Sequence, residues 1–390
     1  MKLSVPKERR RNERRVAASP DTVKKLAGLG FEVVVETNAG RESGFADDAY
    51  TEAGAAIAAD EVETLAGGDV VLKVQRPLIE AEDGGDEVAL MKPGATVIGA
   101  LAALQHPPHA EAYAKAGLTA FSLELLPRIT RAQSMDILSS QSNIAGYKAV
   151  LDGAGAFGRA LPMMMTAAGT IPPARVLVLG AGVAGLQAIA TAKRLGAIVT
   201  GYDVRPAVKE QVESLGAKFL AVDESATTDA ETAGGYAREM GASYKERETE
   251  VLTEALAKND IAICTALIPG RPAPLLISAD MVKGMRSGSV IVDLAVEQGG
   301  NCELSEAGEV AEEHGVTILG HVNVPSRLAE NASSMYARNL LNFLTPLVDR
   351  ENGTLAIDWE DEIVSACLIA REGEIVHPSL VPPNADKDVA

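Results

Sequence analysis

The chain has 390 residues, of which 47% are hydrophobic and 23% charged, as in globular proteins and unlike disordered ones. At about 150 residues per domain, this length predicts two or three domains. The 54 acidic and 36 basic residues give a formal net charge of −18, which argues against nucleic-acid binding and against unaided attachment to an anionic membrane surface.

The cysteines and histidines limit the chemistry further. The three cysteines are far apart, and the sequence contains neither a C-x-x-C nor an H-E-x-x-H pattern. We therefore expect a reducing, cytoplasmic location and no metal site. The uncharged run Val176–Ala192 is shorter than the ~20 residues that a spanning helix needs, and glycines interrupt it. We expect no direct membrane span.

Short β-branched runs alternate with helical segments from residue 1 to about residue 127. The first helix has a clear start signal, the N-cap Ser19 followed by Pro20. The expected strands are Leu3–Val5, Phe31–Glu36, Val70–Val74, Thr96–Leu101 and Leu118–Leu123. Five strands separated by helices predict a parallel α/β sheet.

A second α/β series follows a polar segment over residues 127–154, whose second half, after Ser139, is expected to be helical. Its expected strands are Arg175–Leu179, Ile198–Tyr202, Lys218–Val222, Ile261–Ala266, Val290–Leu294 and Thr317–Leu319. The polar stretch between Val222 and Val251 is too long for an ordinary connection in such a sheet, so it is either a functional loop or a disordered one.

The C-terminal part of the chain contains one more strong helical pattern. Apolar residues recur at a spacing near 3.6 over Arg327–Asp349, which predicts a long helix that packs back on the first domain. The predicted fold class is therefore α/β, with two Rossmann-like, doubly wound parallel-sheet domains. The first is discontinuous, comprising residues 1–140 and 325–390, and the second spans residues 141–324.

The strongest local motif is Gly180-Ala-Gly182-Val-Ala-Gly185, which follows the apolar strand RVLVL and opens a helix. In this context the glycines permit a tight turn, a close approach to pyrophosphate and close helix–strand packing, while the helix N-terminus attracts phosphates. Asp203 ends the next strand, where an acid accepts hydrogen bonds from the adenosine ribose and favours NAD over NADP. Arg205 weakens that choice, because an arginine can serve a 2′-phosphate.

A second group of polar residues lies between the two series. It comprises Arg128, Arg131, Gln133, Ser134, Asp136, Ser139 and Ser140. Such a loop can face an interdomain cleft and anchor the nicotinamide end of a cofactor. A solvated linker with a helix cap at Ser139 explains the same pattern.

Other charged residues have two interpretations each. Arg15 and Lys73 would suit a carboxylate substrate, but surface charge is the favoured explanation from the sequence alone. Asp293 and Glu297 follow a late strand at the edge where doubly wound sheets bind ligands, or they simply terminate that strand.

Together, several segments resemble a known family. They closely resemble the NAD(H)-binding domain I of proton-translocating nicotinamide nucleotide transhydrogenase. The segments are RAQSMDILSSQSNIAGYKAV, the glycine motif with its helix and the strand ending at Asp203, GGYAREM, TALIPGRPAPLLI and GSVIVDLAVEQGGN. The resemblance runs from KERRRNERRVAASP to about residue 345. RAQSMD and the GGY loop are its specific parts, and the rest is shared with alanine dehydrogenase.

The resemblance implies a role for each matching residue. Arg128, Gln133, Asp136 and Ser139 would be the catalytic loop that holds the nicotinamide. Gly180, Gly182, Val183 and Gly185 would hold the pyrophosphate, and Asp203, Val204 and Arg205 would surround the adenosine. Gly235 and Tyr236 would tip a mobile loop that closes over the nucleotide, and Leu267 would line the site. No residue is expected to bind a metal.

Alanine dehydrogenase is the alternative enzyme. That family has a catalytic histidine after the fourth strand of its first domain, whereas VIGALAALQ stands here, and its Asp before QGG is replaced by Glu297. Oxidation of an amine needs a general acid/base, but hydride transfer between two nicotinamides does not. A non-catalytic NAD-sensing module is a third possibility.

The resemblance also implies partners. The expected activity is NAD(P)+ transhydrogenation of the Si-specific, proton-translocating type, completed only with a membrane subunit and an NADP(H)-binding subunit. NAD(H) would bind this chain and NADP(H) the partner. A homodimer is expected, located in the cytoplasm and attached peripherally to the inner membrane through the partner subunits.

Overall fold

A computed structural model describes residues 1–222, 242–268 and 271–381 of the chain. These residues form two compact units, the first made of Met1–Gln141 and the chain from Ser326 onward, the second of Ser142–Pro325. Each unit has its own sheet and its own hydrophobic core.

The strands of the described residues, in chain order, are β1 (Lys2–Val5), β2 (Glu32–Glu36), β3 (Ala56–Ala58), β4 (Val70–Gln75), β5 (Thr96–Ala100), β6 (Thr119–Ser122), β7 (Met164–Thr166), β8 (Gly169–Ile171), β9 (Arg175–Leu179), β10 (Ile198–Tyr202), β11 (Lys218–Leu220), β12 (Ile261–Cys264), β13 (Val290–Asp293), β14 (Val310–Glu313), β15 (Val316–Leu319), β16 (Val348–Asp349), β17 (Thr354–Leu355), β18 (Leu368–Arg371) and β19 (Glu374–Ile375).

The α-helices of the same residues are α1 (Pro20–Gly28), α2 (Asp47–Glu52), α3 (Glu61–Leu65), α4 (Glu87–Leu90), α5 (Pro107–Lys115), α6 (Ile137–Ala156), α7 (Val183–Arg194), α8 (Lys209–Ser214), α9 (Ala242–Lys258), α10 (Ala279–Lys283), α11 (Ala329–Leu344) and α12 (Glu362–Cys367). Short 3-10 helices cover Arg41–Ser43, Leu123–Leu125, Thr130–Met135, Pro206–Val208, Val296–Gln298, Val324–Leu328 and Thr345–Leu347.

The sheet of the first unit has the strand order β19-β18-β6-β5-β4-β1-β2-β3. The strands β1 to β6 are parallel, while β18 and β19 add an antiparallel edge. The five strands expected from the β-branched runs are all present. Three strands of this sheet were not predicted: β3, which consists of Ala-Ile-Ala, and the C-terminal strands β18 and β19.

The helix α11 belongs to the first unit and buries one face in its core. Tyr336 and Phe343 are almost fully buried, and the Tyr336 hydroxyl donates to the carbonyls of Lys73 and Val74, each at 3.0 Å. The expected return of a C-terminal helix to the first domain is confirmed. The helix is shorter than the predicted Arg327–Asp349, because the chain changes to a 3-10 turn around Pro346, which cannot donate a backbone hydrogen bond.

The sheet of the second unit has the order β11-β10-β9-β12-β13-β15-β14, parallel except for β14. From β9 the chain moves outward to β10 and β11, then returns to the other side of β9 with β12. The carboxyl ends of β9 and β12 therefore form the point where the strand order reverses, which is where doubly wound sheets bind ligands. The predicted α/β class with two Rossmann-like sheets is confirmed.

Two further features bear on function. The strands β7 and β8 form a separate two-stranded hairpin in the second unit, and all of its strand residues are exposed. Among the helices of the described residues, none is long and apolar enough to cross a membrane.

Candidate nucleotide site

The glycine motif forms the turn between β9 and α7. Gly180 has a φ of 93°, a left-handed conformation that favours glycine. A Cβ on Gly185 would lie 1.8 Å from the Gly180 carbonyl oxygen, so only glycine fits where the helix crosses the end of the strand. These two glycines are required by the protein's own backbone.

Gly182 has a different environment. It precedes the first residue of α7, and a Cβ built on it would meet no atom of the described residues within 4 Å. Protein packing thus does not explain the absence of a side chain, whereas room for a phosphate does. The first N–H groups of α7 have no partner inside the helix, and Gly182 has no side chain to cap them, so they are available to an anion. The turn fits the pyrophosphate of a dinucleotide.

Asp203 follows β10 beside this turn. Its carboxylate is 6% exposed and accepts a hydrogen bond from the Ala181 backbone N–H at 2.8 Å. The Arg205 guanidinium forms an ion pair with it at 2.8 Å, and Val204, between them, is partly buried. The structure thus brings the acid predicted to bind ribose, and the arginine that complicates that prediction, into direct contact.

The turn after β12 contacts the glycine motif, because β12 is the neighbour of β9 on the side opposite β10. The Thr265 hydroxyl donates to the Gly180 carbonyl oxygen at 2.9 Å. Leu267, two residues on, is 38% exposed, and Val183 at the start of α7 is 42% exposed. Exposed apolar side chains at this edge offer contact area to a flat aromatic ring, and a role of Leu267 in the site stays a prediction.

Asn301 is a positioning residue that the sequence analysis missed. It is fully buried, and its side-chain amide binds both backbone polar groups of Ala266. It accepts a hydrogen bond from the Ala266 N–H at 3.0 Å and donates one to the Ala266 carbonyl at 2.9 Å. A third hydrogen bond reaches the Pro274 carbonyl at 2.8 Å. Asn301 is distant in the sequence from the residues it binds, so no local sequence pattern predicts this role.

The two acids at and after the end of β13 differ in role. Asp293 is fully buried and accepts from the backbone N–H groups of Ala295, Asn301 and Cys302 at 2.8 to 3.0 Å. It therefore shapes the loop that carries Asn301. Glu297 is exposed and accepts from the Asn323 N–H at 2.9 Å. Of the two interpretations, structural termination of the strand fits Asp293.

The polar segment before α6 is ordered and belongs to the first unit. Residues Thr130–Met135 form a 3-10 helix whose Ser134 carbonyl accepts from the amides of Asn339 and Asn342, each at 2.9 Å. Gln133 is exposed on this helix, and Arg128, two residues before it, is also exposed. The segment is therefore anchored to the first unit, and its exposed polar side chains fit both a solvated connection and a ligand-binding loop.

Asp136 and Ser139 are brought together at the start of α6. The Asp136 carboxylate accepts from the Ser139 N–H at 2.9 Å and from its hydroxyl. Asp136 thus caps the helix, which begins at Ile137 and not after Ser139 as expected. A cap of this kind fixes the direction in which the 3-10 helix enters α6.

The expected mobile-loop residues Gly235 and Tyr236 lie outside the described residues. The helix α9 follows that part of the chain, and its Glu248 accepts a hydrogen bond from the hydroxyl of Tyr202, the last residue of β10. Burial raises the pKa of Glu248 and, together with the Glu248 charge, that of Tyr202. The pair therefore fixes α9 to the strand that presents Asp203.

Two family models cover almost the whole chain. The N-terminal domain of alanine dehydrogenase/PNT matches residues 4–145, and the C-terminal domain of alanine dehydrogenase/PNT matches residues 149–378. The chain belongs to the alanine dehydrogenase/PNT family.

Within that family its similarity is uneven. The chain is 61% identical, over 99% of its own length and 100% of the other's, to the first part of NAD(P) transhydrogenase subunit alpha of Rhodospirillum rubrum. A crystal structure of transhydrogenase from Sinorhizobium meliloti is 49% identical, with a TM-score of 0.87 over 96% of this chain and 100% of that one. A structure of L-alanine dehydrogenase is 28% identical, with a TM-score of 0.80 over 97% and 98% of the two chains. The chain is a homologue of transhydrogenase alpha subunits and a more distant relative of alanine dehydrogenase.

Arg15 and Lys73 are not surface charges, contrary to the expectation from the sequence. Lys73 is 1% exposed, and its ammonium contacts Glu87 at 2.7 Å and Glu8 at 3.3 Å. Arg15 is also buried and pairs with Glu13 at 2.7 Å. The surface-charge interpretation is wrong, because both cations are buried in the first unit and paired there with carboxylates. Glu8 and Glu87 balance Lys73, and Glu13 balances Arg15.

Proposed function

We propose that this chain is the NAD(H)-binding subunit of a proton-translocating NAD(P) transhydrogenase of the Si-specific type. It transfers a hydride directly between NADH and NADP+ bound on a partner subunit, in a reaction coupled to proton translocation. The full-length identity of 61% to a transhydrogenase alpha subunit carries this proposal. The open position at Gly182, beside uncapped helix N–H groups and at a reversal of strand order, supports nucleotide binding.

The proposed contacts follow the motifs. Within the domain of residues 141–324, Gly180, Gly182, Val183 and Gly185 hold the pyrophosphate. Asp203, Val204 and Arg205 contact the adenosine, and Leu267 lines the site. Arg128, Gln133, Asp136 and Ser139, in the domain of residues 1–140 and 325–390, hold the nicotinamide. For Gly235 and Tyr236 the support is the resemblance of the GGY segment alone.

The chemistry asked of these residues is positioning. The nicotinamide of NADH supplies the hydride when the nucleotide is bound. Neither ring gains or loses a proton in a direct transfer, so the chain needs no general acid or base, and holding the reacting atoms in line is the main contribution. The exposed amide of Gln133 and the fixed pair Asp136–Ser139 are suited to orient a carboxamide, because they offer both donors and acceptors.

The partners are proposed from the same resemblance. They are a membrane subunit and an NADP(H)-binding subunit, which attach the chain peripherally to the cytoplasmic side of the inner membrane. The net charge of −18 disfavours direct binding to anionic lipid and thus favours attachment through protein contacts.

A mixing experiment tests the function. The purified chain is combined with an NADP(H)-binding partner subunit, and reduction of an oxidised NAD analogue by NADPH is followed. We expect transfer in the mixture and none from either component alone. Absence of transfer between folded components would overturn the proposal, and oxidation of NADH by this chain alone with pyruvate and ammonia would favour an alanine dehydrogenase instead.

The homodimer expected from the resemblance has a candidate surface in the second unit. Met163, Met164 and Met165 are 58%, 40% and 79% exposed at and beside the hairpin β7–β8. An isolated two-stranded hairpin is marginally stable in water, and exposed methionines are typical of adaptable contact surfaces. A groove of about 550 Å³ lies at its base, lined by Leu161, Pro162 and Leu195 among others. Hairpin and groove on one unit suit a two-fold contact with a second copy of the chain.

Light scattering on two variants tests this surface. We expect Met165→Lys to convert the dimer to a monomer, because a charge would be buried in an apolar contact. Met335→Lys, at a methionine that is 38% exposed on α11, is the matched control and retains the dimer. A dimeric Met165→Lys variant would contradict the location, and a monomeric wild-type chain would contradict the homodimer itself.

A further inference from the structure

The Asp203 carboxylate has no acceptor capacity left over. Its Oδ1 accepts from the Arg205 backbone N–H and from Nε, each at 2.9 Å. Its Oδ2 accepts from the Ala181 N–H and from Arg205 Nη2, each at 2.8 Å. A carboxylate has about four lone-pair sites, so these four donors fill it.

The four donors are of two kinds. The Ala181 and Arg205 backbone N–H groups are fixed by the turn after β9 and by the end of β10. The other two belong to one guanidinium, whose planar fork grips both carboxylate oxygens. Only the side-chain pair can leave without unfolding the turn. The exposed fraction of the carboxylate is 6% and that of the Arg205 side chain 15%, so the guanidinium covers the acid on the side open to solvent.

A ribose offers two hydrogen-bond donors, the same number as the Arg205 guanidinium donates to Asp203. Its 2′- and 3′-hydroxyls are adjacent O–H groups, and both donate to a carboxylate at the end of the second strand in NAD-binding sheets. With the guanidinium in place, the four lone-pair sites are taken and the hydroxyls have no acceptor. Replacement of the two guanidinium donors by two hydroxyls keeps the number of hydrogen bonds at the carboxylate unchanged.

We infer that the Arg205 guanidinium occupies the position of the adenosine ribose hydroxyls in the nucleotide-free chain, and that NAD(H) must displace it to bind. This inference rests on the proposed function, because it assumes an NAD(H) site at Asp203. Arg205 is then a specificity-determining residue that competes with the ribose for Asp203, and its proposed contact with the adenosine can form only after this displacement.

NADP(H) cannot make the same exchange. A 2′-phosphate replaces one of the two hydroxyl donors with negative charge, so it cannot take over from the guanidinium at an ionised acid. An NADP(H) molecule is better served by an arginine that stays, since the guanidinium pairs with the phosphate. Removal of the guanidinium should therefore strengthen NADH binding and weaken NADPH binding.

Fluorescence titrations with NADH and NADPH test the competition in the full chain. Displacement of a partly exposed ion pair corresponds to about 1 kcal/mol, or about fivefold in Kd. We expect Arg205→Met to lower the Kd for NADH about fivefold and to raise that for NADPH. Arg205→Lys, which keeps the charge but not the fork, should lie between it and the wild type. Arg175→Met, an exposed arginine at the opposite end of β9, is the matched control and should change neither Kd.

The acid itself supplies the decisive comparison. Asp203→Asn should weaken NADH binding, and adding Arg205→Met to it should change the Kd less than twofold, because no carboxylate remains to compete for. An unchanged or raised Kd for NADH in Arg205→Met would overturn the inference. A wild-type chain that binds no NADH would instead contradict the proposed function.

A direct readout does not depend on affinity. Solvent exchange of the Arg205 Nε–H, identified by its absence in Arg205→Lys, should be slow in the nucleotide-free chain and faster with NADH bound. Equal protection in both states would show that the guanidinium stays on Asp203 and would overturn the displacement.

Discussion

Lys73 and Glu8 show how the first unit holds charges in its interior. The ammonium of Lys73 has two carboxylate neighbours, and the Glu8 carboxylate also accepts from the Val74 N–H at 2.6 Å. Burial nevertheless dominates at Glu8 and raises its pKa to about 7, with Lys73 acting in the opposite direction and Glu87 and Glu13 reinforcing the rise. Glu8 therefore titrates near neutral pH in the folded chain.

This pKa predicts a pH dependence of stability. Because the folded pKa lies above the unfolded value near 4.5, Glu8 contributes stability that is fully present below pH 4.5 and lost as the pH rises through 7. The free energy of unfolding of the wild type should fall relative to Glu8→Gln between pH 5 and pH 8, by no more than about 3 kcal/mol. Urea unfolding followed by Trp359, the one tryptophan of the sequence and a neighbour of this unit's core, measures it.

The control for this prediction is Glu52→Gln, at an exposed acid of α2. Its stability should follow the pH dependence of the wild type. If Glu8→Gln and the wild type run parallel across this range, the raised pKa of Glu8 is wrong.

The residues that could be predicted from the sequence are those with local reasons. Gly180 and Gly185 are dictated by a turn and a crossing within six residues, and the motif predicts them. Lys73 could not be placed, because one of its partners, Glu8, is 65 positions away and no periodicity links the two. The same holds for Asn301, whose hydrogen bonds to Ala266 join distant loops.

Gln133 carries the prediction on catalysis. Under the proposed function it orients the nicotinamide, and misplacement by about 1 Å can reduce a rate about a hundredfold. We expect Gln133→Ala to reduce hydride transfer with the partner at least tenfold, while the Kd for NADH changes less than about threefold. Ser134→Ala, on the same 3-10 helix, is the control, because the structure uses the Ser134 backbone carbonyl. Equal losses of rate and affinity would contradict a positioning role.

At the scale of elements, α6 and α7 meet at a glycine. A Cβ on Gly146 of α6 would lie 2.0 Å from the carbonyl oxygen of Ala184, in the first turn of α7. The helix that follows the RAQSMD segment thus supports the start of α7, the helix that begins at the glycine motif. The sequence predicts both helices, α7 from the glycine motif that opens it, but not this contact, since a glycine inside a helix has no local reason.

Gly146→Ala should therefore destabilise the second unit and weaken NADH binding. The new methyl group must push two backbones apart, which costs about 1 to 3 kcal/mol. Gly155→Ala is the matched control in the same helix, because a Cβ there meets nothing within 4 Å and alanine favours helix. Thermal unfolding by circular dichroism and an NADH titration measure both effects. A Gly146→Ala chain as stable as Gly155→Ala would show that the helices are not in close contact.

At the scale of the whole molecule, two Rossmann-like sheets raise the question of how many nucleotides one chain binds. The number of sites depends on the helix that follows the first strand of each large sheet, α1 after β1 and α7 after β9. In α1 the N-cap Ser19 and Thr22 cap each other's backbone N–H groups, and Pro20 has no N–H to offer. In α7 the corresponding position is Gly182, which leaves the first N–H groups available. Of these two helices, only α7, in the second unit, combines a glycine turn with an uncapped N-terminus.

The basic loop after β1 does not compensate for this difference. The segment KERRRNERR contains no glycine, and carboxylates of the same unit already hold three of its five arginines, Arg9, Arg10 and Arg15, through Glu36, Glu82 and Glu13, each at 2.7 Å. A phosphate that binds at these three arginines would have to break the ion pairs. The sequence predicts both sheets from the same alternation of strands and helices, so the number of sites depends on caps and ion pairs that only the fold brings together.

We therefore expect one NADH per chain. Isothermal titration of the full chain should give a stoichiometry of one, and the Gly146→Ala variant should lower the affinity without changing that number. At a concentration of 100 times the Kd, NADH should stabilise the chain by about 2.7 kcal/mol, the value for a single site. A stoichiometry of two would mean that the first unit also binds a nucleotide, despite its capped helix and paired arginines, and would refute the distinction drawn between the two sheets.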